Sequence, residues 1–215
     1  MGAVTSRKKL KGSGKAQRIA AAPLKTAGWQ GGLNRNELLC LGLVLAATFV
    51  AYLPVLKSQF TNYDDNNQIL ESHLVRNLSF ENIKALFSTV IWNQYFPVAM
   101  LIMALEFKVF GASALALKTV SVLLHLGNTL LVFQFIRKLF NRFDYALITA
   151  ALFALNTLQV ESVAWLSASF KVGAYTFFAL ASLLAYVSFL KSRTPVWFGL
   201  SLLLFLLSCM CKEQA

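Results

Sequence analysis

Two adjacent carboxylates, Asp64 and Asp65, are the residues of this 215-residue chain best suited to chemistry, and Tyr63 and two asparagines flank them. Adjacent carboxylates at a membrane face can bind a divalent cation such as Mg²⁺ or Mn²⁺. Repulsion between like charges can also keep one carboxylate basic, as a general base requires. The alternative is a solvated turn whose Asp and Asn side chains satisfy the backbone, and the local sequence by itself favours that turn.

A third carboxylate, Glu161, lies in the string Gln159–Trp165 at the edge of an apolar run, and it is the only acid between Asp144 and Glu213. A lone carboxylate at an apolar boundary is costly unless it has a partner or a task. Glu161 therefore either pairs with Lys171, the nearest following cation, or lies at the membrane interface, or it belongs to a site.

Polar residues also follow one face of a predicted membrane helix at helical spacing, namely Lys118, Ser121, His125 and Asn128. Such a stripe faces a bundle interior or a cavity, and hydrogen bonding between helices explains it without any function. The aromatic side chains that could stack on a sugar are Trp92, Tyr95 and Trp165, although an interfacial aromatic belt is the commoner role.

The composition places this chemistry in a membrane. Hydrophobic residues make up 57% of the chain and charged residues 13%, about half the ~25% of globular domains. The formal net charge is +11, but residues 1–36 carry eight basic residues and no acid. A basic tail before a nearly neutral, apolar body excludes a basic nucleic-acid-binding globule and predicts no nucleic-acid partner. Residues 1–36 are predicted to be a disordered tail, with a mitochondrial transit peptide as the alternative.

Five uncharged stretches approach or reach the ~17–25 residues that cross a bilayer, near residues 38–56, 119–136, 145–160, 172–190 and 194–211. A sixth apolar run, Pro97–Phe110, has 14 residues and contains Glu106 and Lys108, which favours a non-spanning helix. The chain is thus predicted to be an all-α membrane protein with about five transmembrane helices. The loop 57–118 should carry one or two interfacial helices, one of them beginning after the N-cap Ser79.

The basic residues predict the orientation of these helices. With five spans and a cytoplasmic tail, the connections 137–144 and 191–193 face the cytoplasm and carry five Lys/Arg, as the positive-inside rule requires. The loop 57–118 and the connection 159–171 then both lie outside. Asp64, Asp65 and Glu161 are therefore expected on one side of the membrane.

Several fragments, taken together and in order, resemble a known family. They are Phe60-Thr-Asn-Tyr-Asp-Asp-Asn, Glu81-Asn-Ile-Lys-Ala-Leu-Phe87, Tyr95-Phe-Pro97, Leu123-Leu-His-Leu-Gly-Asn128 and Leu152 to Trp165 with its Val-Glu-Ser-Val-Ala-Trp string. Residues ~38–215 resemble the membrane half of the transmembrane-and-tetratricopeptide-repeat proteins. Those proteins look like GT-C-type glycosyltransferases related to protein O-mannosyltransferases.

The resemblance implies a polyprenyl-phosphate sugar donor, a protein or glycan acceptor, and an extracytoplasmic active site in a bacterial inner membrane or endoplasmic reticulum membrane. It implies that an acid of the first outer loop is the catalytic base or a metal ligand, and the matching positions here are Asp64 and Asp65. The chain departs from the family pattern in two places. In the first, Asn156-Thr157 and Leu158-Gln159 stand where the relatives usually have Pro and His. In the second, Ala168 to Gly173 replaces a charged Arg-Lys-Asp string, of which Lys171 remains. With the donor that the resemblance implies, Lys171 or His125 would hold the phosphate and Glu161 would orient the acceptor or a metal.

Two further interpretations stay open at the level of sequence. Relatives continue beyond the position of Ala215 into more spans and repeats, so the chain is expected to be a fragment that is inactive alone. The rival function is a non-enzymatic membrane anchor or scaffold for a tetratricopeptide-repeat protein. A transporter is a third possibility, motivated by the stripe at 118–128, but no pair of matching broken helices supports it.

Overall fold

The structure, a computed structural model, describes residues 32–91 and 93–212. The predicted tail 1–36 and Trp92 therefore lie largely or wholly outside the described residues. Within the described residues all regular elements are helical, apart from one isolated bridge between Ile91 and Gln94. The helices are α1 (Arg35–Leu56), a π-helical turn (Asn66–Leu70), α2 (His73–Arg76), α3 (Phe80–Ser88), α4 (Pro97–Phe110), α5 (Ala114–Phe140), α6 (Phe143–Leu155), α7 (Gln159–Ala164), α8 (Leu166–Ser192) and α9 (Pro195–Cys209).

Local capping explains where several helices begin. Asn34 and Glu37 form a reciprocal capping box at the start of α1, which satisfies backbone N–H groups that the first turn leaves free. Ser79 accepts a hydrogen bond from the N–H of Asn82, so α3 begins where the sequence predicts. Helix α5 ends at Phe140, and the next residue, Asn141, has a φ of 54°, the left-handed conformation that asparagine tolerates.

The chain is an all-α membrane protein, as predicted. Helices α1, α5 and α8 are long and apolar enough to cross a membrane, and α6 and α9 are shorter apolar helices of 13 and 15 residues. The predicted third span, 145–160, stops early, because the chain leaves the helix at Asn156 and restarts as α7. Helix α4 has the bounds of the apolar run that we predict not to span, and its first half is buried.

Side-chain contacts show how α1, α5, α8 and α9 alternate in direction. Glu37 at the start of α1 meets Arg137 near the end of α5 at 3.7 Å, so these two helices are antiparallel. Helix α8 runs parallel to α5, because Ser169 bonds Ser121 near their starts and Lys138 bonds Ser188 near their ends. Helix α9 returns antiparallel along α8, with Ser182 against Ser201.

This alternation gives the bundle two ends. One, called the basic end below, holds the start of α1 and the connections 137–144 and 191–193. The other, called the loop end, holds residues 57–113 and the connection 156–165. The grouping agrees with the one expected from loop charge, although which side of a membrane each end faces remains a prediction.

The segment 57–113 is packed onto the bundle. Its buried side chains Ile69, Leu86 and Met100 join one apolar core with Leu117 of α5 and Phe170 of α8. Helices α2 and α8 both pack against α4. The loop end is therefore built by tertiary packing, which holds the acidic segment over the starts of α5 and α8.

Candidate functional site

A cleft of about 450 Å³ opens at the loop end of the bundle. Four parts of the chain line it: the acidic turn at Asp64, the loop residue Gln94, the segment from Leu158 to the first turns of α8, and Lys212 beyond the end of α9. Its lining residues are Asp64, Gln94, Leu158, Gln159, Glu161, Ser162, Trp165, Ser167, Ala168, Lys171, Val172 and Lys212. Asp64, Glu161, Trp165 and Lys171, four of the predicted site residues, thus lie together.

The two adjacent aspartates have different environments. Asp65 is fully buried, and its Oδ1 accepts hydrogen bonds from the backbone N–H of Ser167 at 2.8 Å and from the Ser167 hydroxyl at 2.6 Å. Its Oδ2 accepts the N–H of Thr61 at 2.9 Å. Both oxygens are occupied by protein donors, so Asp65 ties the first loop to the start of α8.

Asp64 faces the cleft instead. It is half-buried, and no hydrogen bond reaches its carboxylate from any residue that the structure describes. It begins a helical turn that continues as the π-helical turn Asn66–Leu70, an irregularity often found at functional positions. Of the adjacent pair, Asp64 is the carboxylate that is free to take a proton from a bound molecule.

Two lysines supply positive charge to the cleft. Lys171 on α8 donates a hydrogen bond to Oε1 of Gln68 at 3.1 Å, and its ammonium lies 5.0 Å from the ring centroid of Phe96. Lys171 and Lys212 line the same cleft as Asp64. A phosphate bound in this cleft would accept hydrogen bonds from both ammonium groups.

An aromatic wall and a third carboxylate complete the cleft. Trp165 packs against Tyr63 with ring centroids 6.1 Å apart, and its buried Nε1–H has no hydrogen-bond partner among the described residues. Glu161 on α7 is exposed and lines the same cleft as Lys171, but the two form no ion pair. The predicted pairing of Glu161 with Lys171 is therefore not present, while its placement at a membrane interface stays a prediction.

Besides Asp65, two predicted site residues lie outside the cleft. His125 is buried in the bundle between the rings of Tyr52 and Phe153, and its Nε2 lies 3.0 Å from the carbonyl oxygen of Ala154. Tyr95 is half-exposed, and its hydroxyl donates to the carbonyl oxygen of Phe87 at 3.0 Å. Neither residue is part of the proposed site.

The polar stripe on α5 holds helices together. Lys118 donates to the carbonyl oxygen of Ala164 at 2.9 Å, and Asn128 donates to that of Gly173 at 3.0 Å. The second contact needs close helices, since a Cβ on Gly173 would lie 2.8 Å from Leu124 of α5. The stripe has the interhelical role that its spacing allows.

The adjacent carboxylates do not fit a cation site made by the pair. A shared metal needs free carboxylate oxygens on both residues, and the oxygens of Asp65 already accept hydrogen bonds from Ser167 and Thr61. Within residues 32–91 and 93–212, no group of three His, Cys, Asp or Glu could hold a metal. No step of the reaction proposed below uses a metal ion.

Sequence reasoning did not identify two residues that the structure brings to the cleft or its wall, Lys212 and Tyr63. Lys212 is the first charged residue after the last apolar run, and Tyr63 directly precedes the aspartates. Both positions are visible in the sequence, but the sequence does not show which residues Lys212 and Tyr63 contact.

Fold and cleft together define an integral membrane protein of the all-α class with a polar cleft at one end of its helices. Comparison with known proteins adds a relative. The chain is 29% identical over 196 residues to the protein O-mannosyl-transferase Tmtc1 of Drosophila melanogaster, and the match covers 85% of this chain and 22% of that protein. No family model and no solved structure matches the chain. The chain thus spans about a fifth of the length of this relative, and the similarity supports a relationship to it.

Proposed function

We propose that the chain is the N-terminal membrane part of a glycosyltransferase. It transfers a sugar, with mannose as the candidate, from a polyprenyl-phosphate donor to a hydroxyl of a protein or glycan on the extracytoplasmic side. The observation that carries the proposal is the convergence of Asp64, Lys171, Lys212 and Trp165 on one cleft at the loop end. The similar insect protein is named as a protein O-mannosyl-transferase, which favours the same reaction.

Each part of the cleft then has a chemical role. Asp64 takes the proton of the attacking hydroxyl, because its carboxylate is free while that of Asp65 is held by Ser167 and Thr61. Lys171 and Lys212 bind the donor phosphate. Trp165 stacks on the sugar or donates its free indole N–H to it, and Glu161 orients the acceptor.

The proposed transfer breaks one bond, forms one bond and moves one proton. The bond between the sugar anomeric carbon and the phosphate oxygen breaks, and polyprenyl phosphate leaves with the electron pair. A bond forms between the anomeric carbon and the acceptor oxygen, whose proton passes to Asp64. The lysines stabilise the negative charge that develops on the leaving phosphate, which is the usual means of lowering such a barrier.

Donor binding can be measured on the chain itself. We expect saturable binding of polyprenyl-phosphate mannose in detergent, weakened at least tenfold by Lys171→Gln combined with Lys212→Gln. The matched control is Lys108→Gln, which removes one positive charge from the exposed end of α4. A chain that binds no donor in a saturable way would favour the membrane anchor over the enzyme.

Sugar transfer is measured on the complete protein that contains this chain. Asp64→Asn should lower the transfer rate by a factor of about 10²–10⁴, the usual contribution of a general base, without lowering expression. Transfer that persists at the normal rate in Asp64→Asn contradicts the assignment of Asp64. Loss of transfer in Glu161→Gln with donor binding intact would support the acceptor role of Glu161.

A further inference from the structure

We infer that the basic end of the bundle binds one anionic phospholipid, whose acyl chains lie in an apolar groove and whose phosphate meets Arg137, Lys138 and Lys191. This site lies at the end of the bundle opposite the cleft. It uses none of the residues to which the proposed function assigns a role, so the two proposals stand or fall separately.

The groove is large and apolar. It measures about 700 Å³ and lies between α1, α5, α8 and α9, within the ~300–1,000 Å³ range of small-molecule sites. Leu41, Leu130, Phe133, Ala185, Leu200 and Leu204 are among the residues that line it. Because these are membrane helices, an occupant of such a groove reaches it from the bilayer, and hydrocarbon chains match its walls.

Arg137 and Lys138 line this groove, and Lys191 contacts the backbone of Lys138 beside it. Lys138 donates to the hydroxyl of Ser188, and Lys191 donates to the carbonyl oxygen of Lys138 at 2.7 Å. Neither ammonium has a carboxylate partner among the described residues. Two ammonium groups are therefore held close together by neutral oxygens, in a region where an anion would lower their mutual repulsion.

Arg137 adds a donor that is already positioned. Its side chain lines the groove and makes one long ion pair with Glu37 at 3.7 Å. Its Nη1 is buried and has no hydrogen-bond partner among the described residues. A phosphate oxygen accepts strongly from a guanidinium N–H, so a phospholipid headgroup would satisfy this atom.

The combination of apolar walls and cations favours a phospholipid over another helix as the occupant of the groove. An apolar helix from elsewhere in the protein or from a second copy could fill the groove, but it would leave the two ammonium groups and Nη1 of Arg137 without an anion. An anionic phospholipid satisfies both the apolar walls and the cations. Juxtamembrane basic residues gain energy in this way from anionic lipid.

The first test compares two lipids on the delipidated chain in detergent by native mass spectrometry. Phosphatidylglycerol and phosphatidylcholine with identical acyl chains are titrated, and the anionic lipid should bind once per chain and at least tenfold more tightly. It should also raise the unfolding temperature more than phosphatidylcholine does, a readout that needs no variant. Equal binding of the two lipids, or a lipid-free dimer seated through this face, overturns the proposal.

Variants separate the site from general attraction to a basic surface. Lys138→Gln combined with Lys191→Gln should cost about tenfold or more in phosphatidylglycerol affinity and leave phosphatidylcholine unchanged. Arg193→Gln is the matched control, because Arg193 is exposed at the same end and outside the groove. A loss in the control as large as in the double variant would overturn a defined site.

A second variant tests the groove itself. Ala185→Trp places a large side chain among the lining residues and should weaken binding of both lipids. Its fold is checked by the unfolding temperature without lipid. Unchanged phosphatidylglycerol binding in a folded Ala185→Trp chain overturns the placement of the acyl chains.

Discussion

The backbone N–H and the hydroxyl of Ser167 both donate hydrogen bonds to Oδ1 of Asp65, across 102 residues of sequence. The contact joins the start of α8 to the first polar loop and leaves the neighbouring Asp64 facing the cleft. A pair of identical residues is thereby divided into one that shapes the site and one that can act in it.

Removing the Asp65 carboxylate should destabilise the fold. Asp65→Ala leaves the N–H groups of Ser167 and Thr61 without acceptors in a buried place, and we expect a loss of about 2–4 kcal/mol in the free energy of unfolding. Reversible denaturant unfolding in detergent measures it. Ser167→Ala should cost less, because its backbone N–H can still donate to Asp65.

Asp64→Asn provides the contrast. Its carboxylate accepts no hydrogen bond within the described part of the chain, so the substitution should change the free energy of unfolding by under about 0.5 kcal/mol. A stability loss in Asp64→Asn equal to that of Asp65→Ala would contradict the division between the two residues.

The grouping of loops predicts labelling from two sides of the membrane. Single cysteines at Asn66 and Ser162 should react with an impermeant reagent from one side, and a cysteine at Ser192 from the other. The background chain has Cys40, Cys209 and Cys211 replaced by alanine. Reaction of Asn66→Cys and Ser192→Cys from the same side would contradict the five-helix alternation.

Burial raises the pKa of Glu106 on α4 to about 7. An unfolded glutamate has a pKa of about 4.3, so between these values the folded chain holds a proton that the unfolded chain releases. This contribution to stability is fully present below about pH 4.3 and is lost as the pH rises through 7. Glu106→Gln should therefore unfold at a higher temperature than the original chain at pH 8, with the difference shrinking by pH 4.5.

Glu81→Gln is the control for this titration, since Glu81 is exposed at the start of α3. It should shift the unfolding temperature little at any pH in the series. A constant difference between Glu106→Gln and the original chain from pH 4.5 to 8 would argue against the burial of this carboxyl.

Burial likewise raises the pKa of the Cys211 thiol to about 12. Thiolate is the reactive form, so iodoacetamide should modify Cys211 slowly at pH 8 in the folded chain and rapidly after unfolding. Because an unfolded cysteine has a pKa of about 8.5, the thiol also stabilises the fold fully below that pH and progressively less above it. Fast alkylation of Cys211 in the folded chain at pH 8 would contradict its burial.

Much of the fold follows from local sequence. Apolar runs mark the membrane helices because each must bury its backbone polar groups within itself, and Ser79 and Pro97 mark helix starts by capping and by backbone geometry. The break at Asn156 was not predicted, since the apolar run continues through it to Val160. Hydropathy records the length of an apolar stretch but not a turn within it.

The candidate site was predicted in part. Asp64, Glu161, Trp165 and Lys171 do meet in one cleft, as the charge of the loops led us to expect for the carboxylates. His125 and Tyr95 lie elsewhere, because helical spacing shows which face a residue shares and not which neighbour that face meets.

The sequence by itself determined the membrane class, the sites of positive charge and the grouping of acidic loops, because these depend on composition and on the order of segments. Only the tertiary structure decided that Asp65 is held by Ser167 while Asp64 is free, and that Lys212 joins Lys171. Those facts depend on contacts between residues far apart in the sequence, 102 positions in the case of Asp65 and Ser167, which form only when the helices pack.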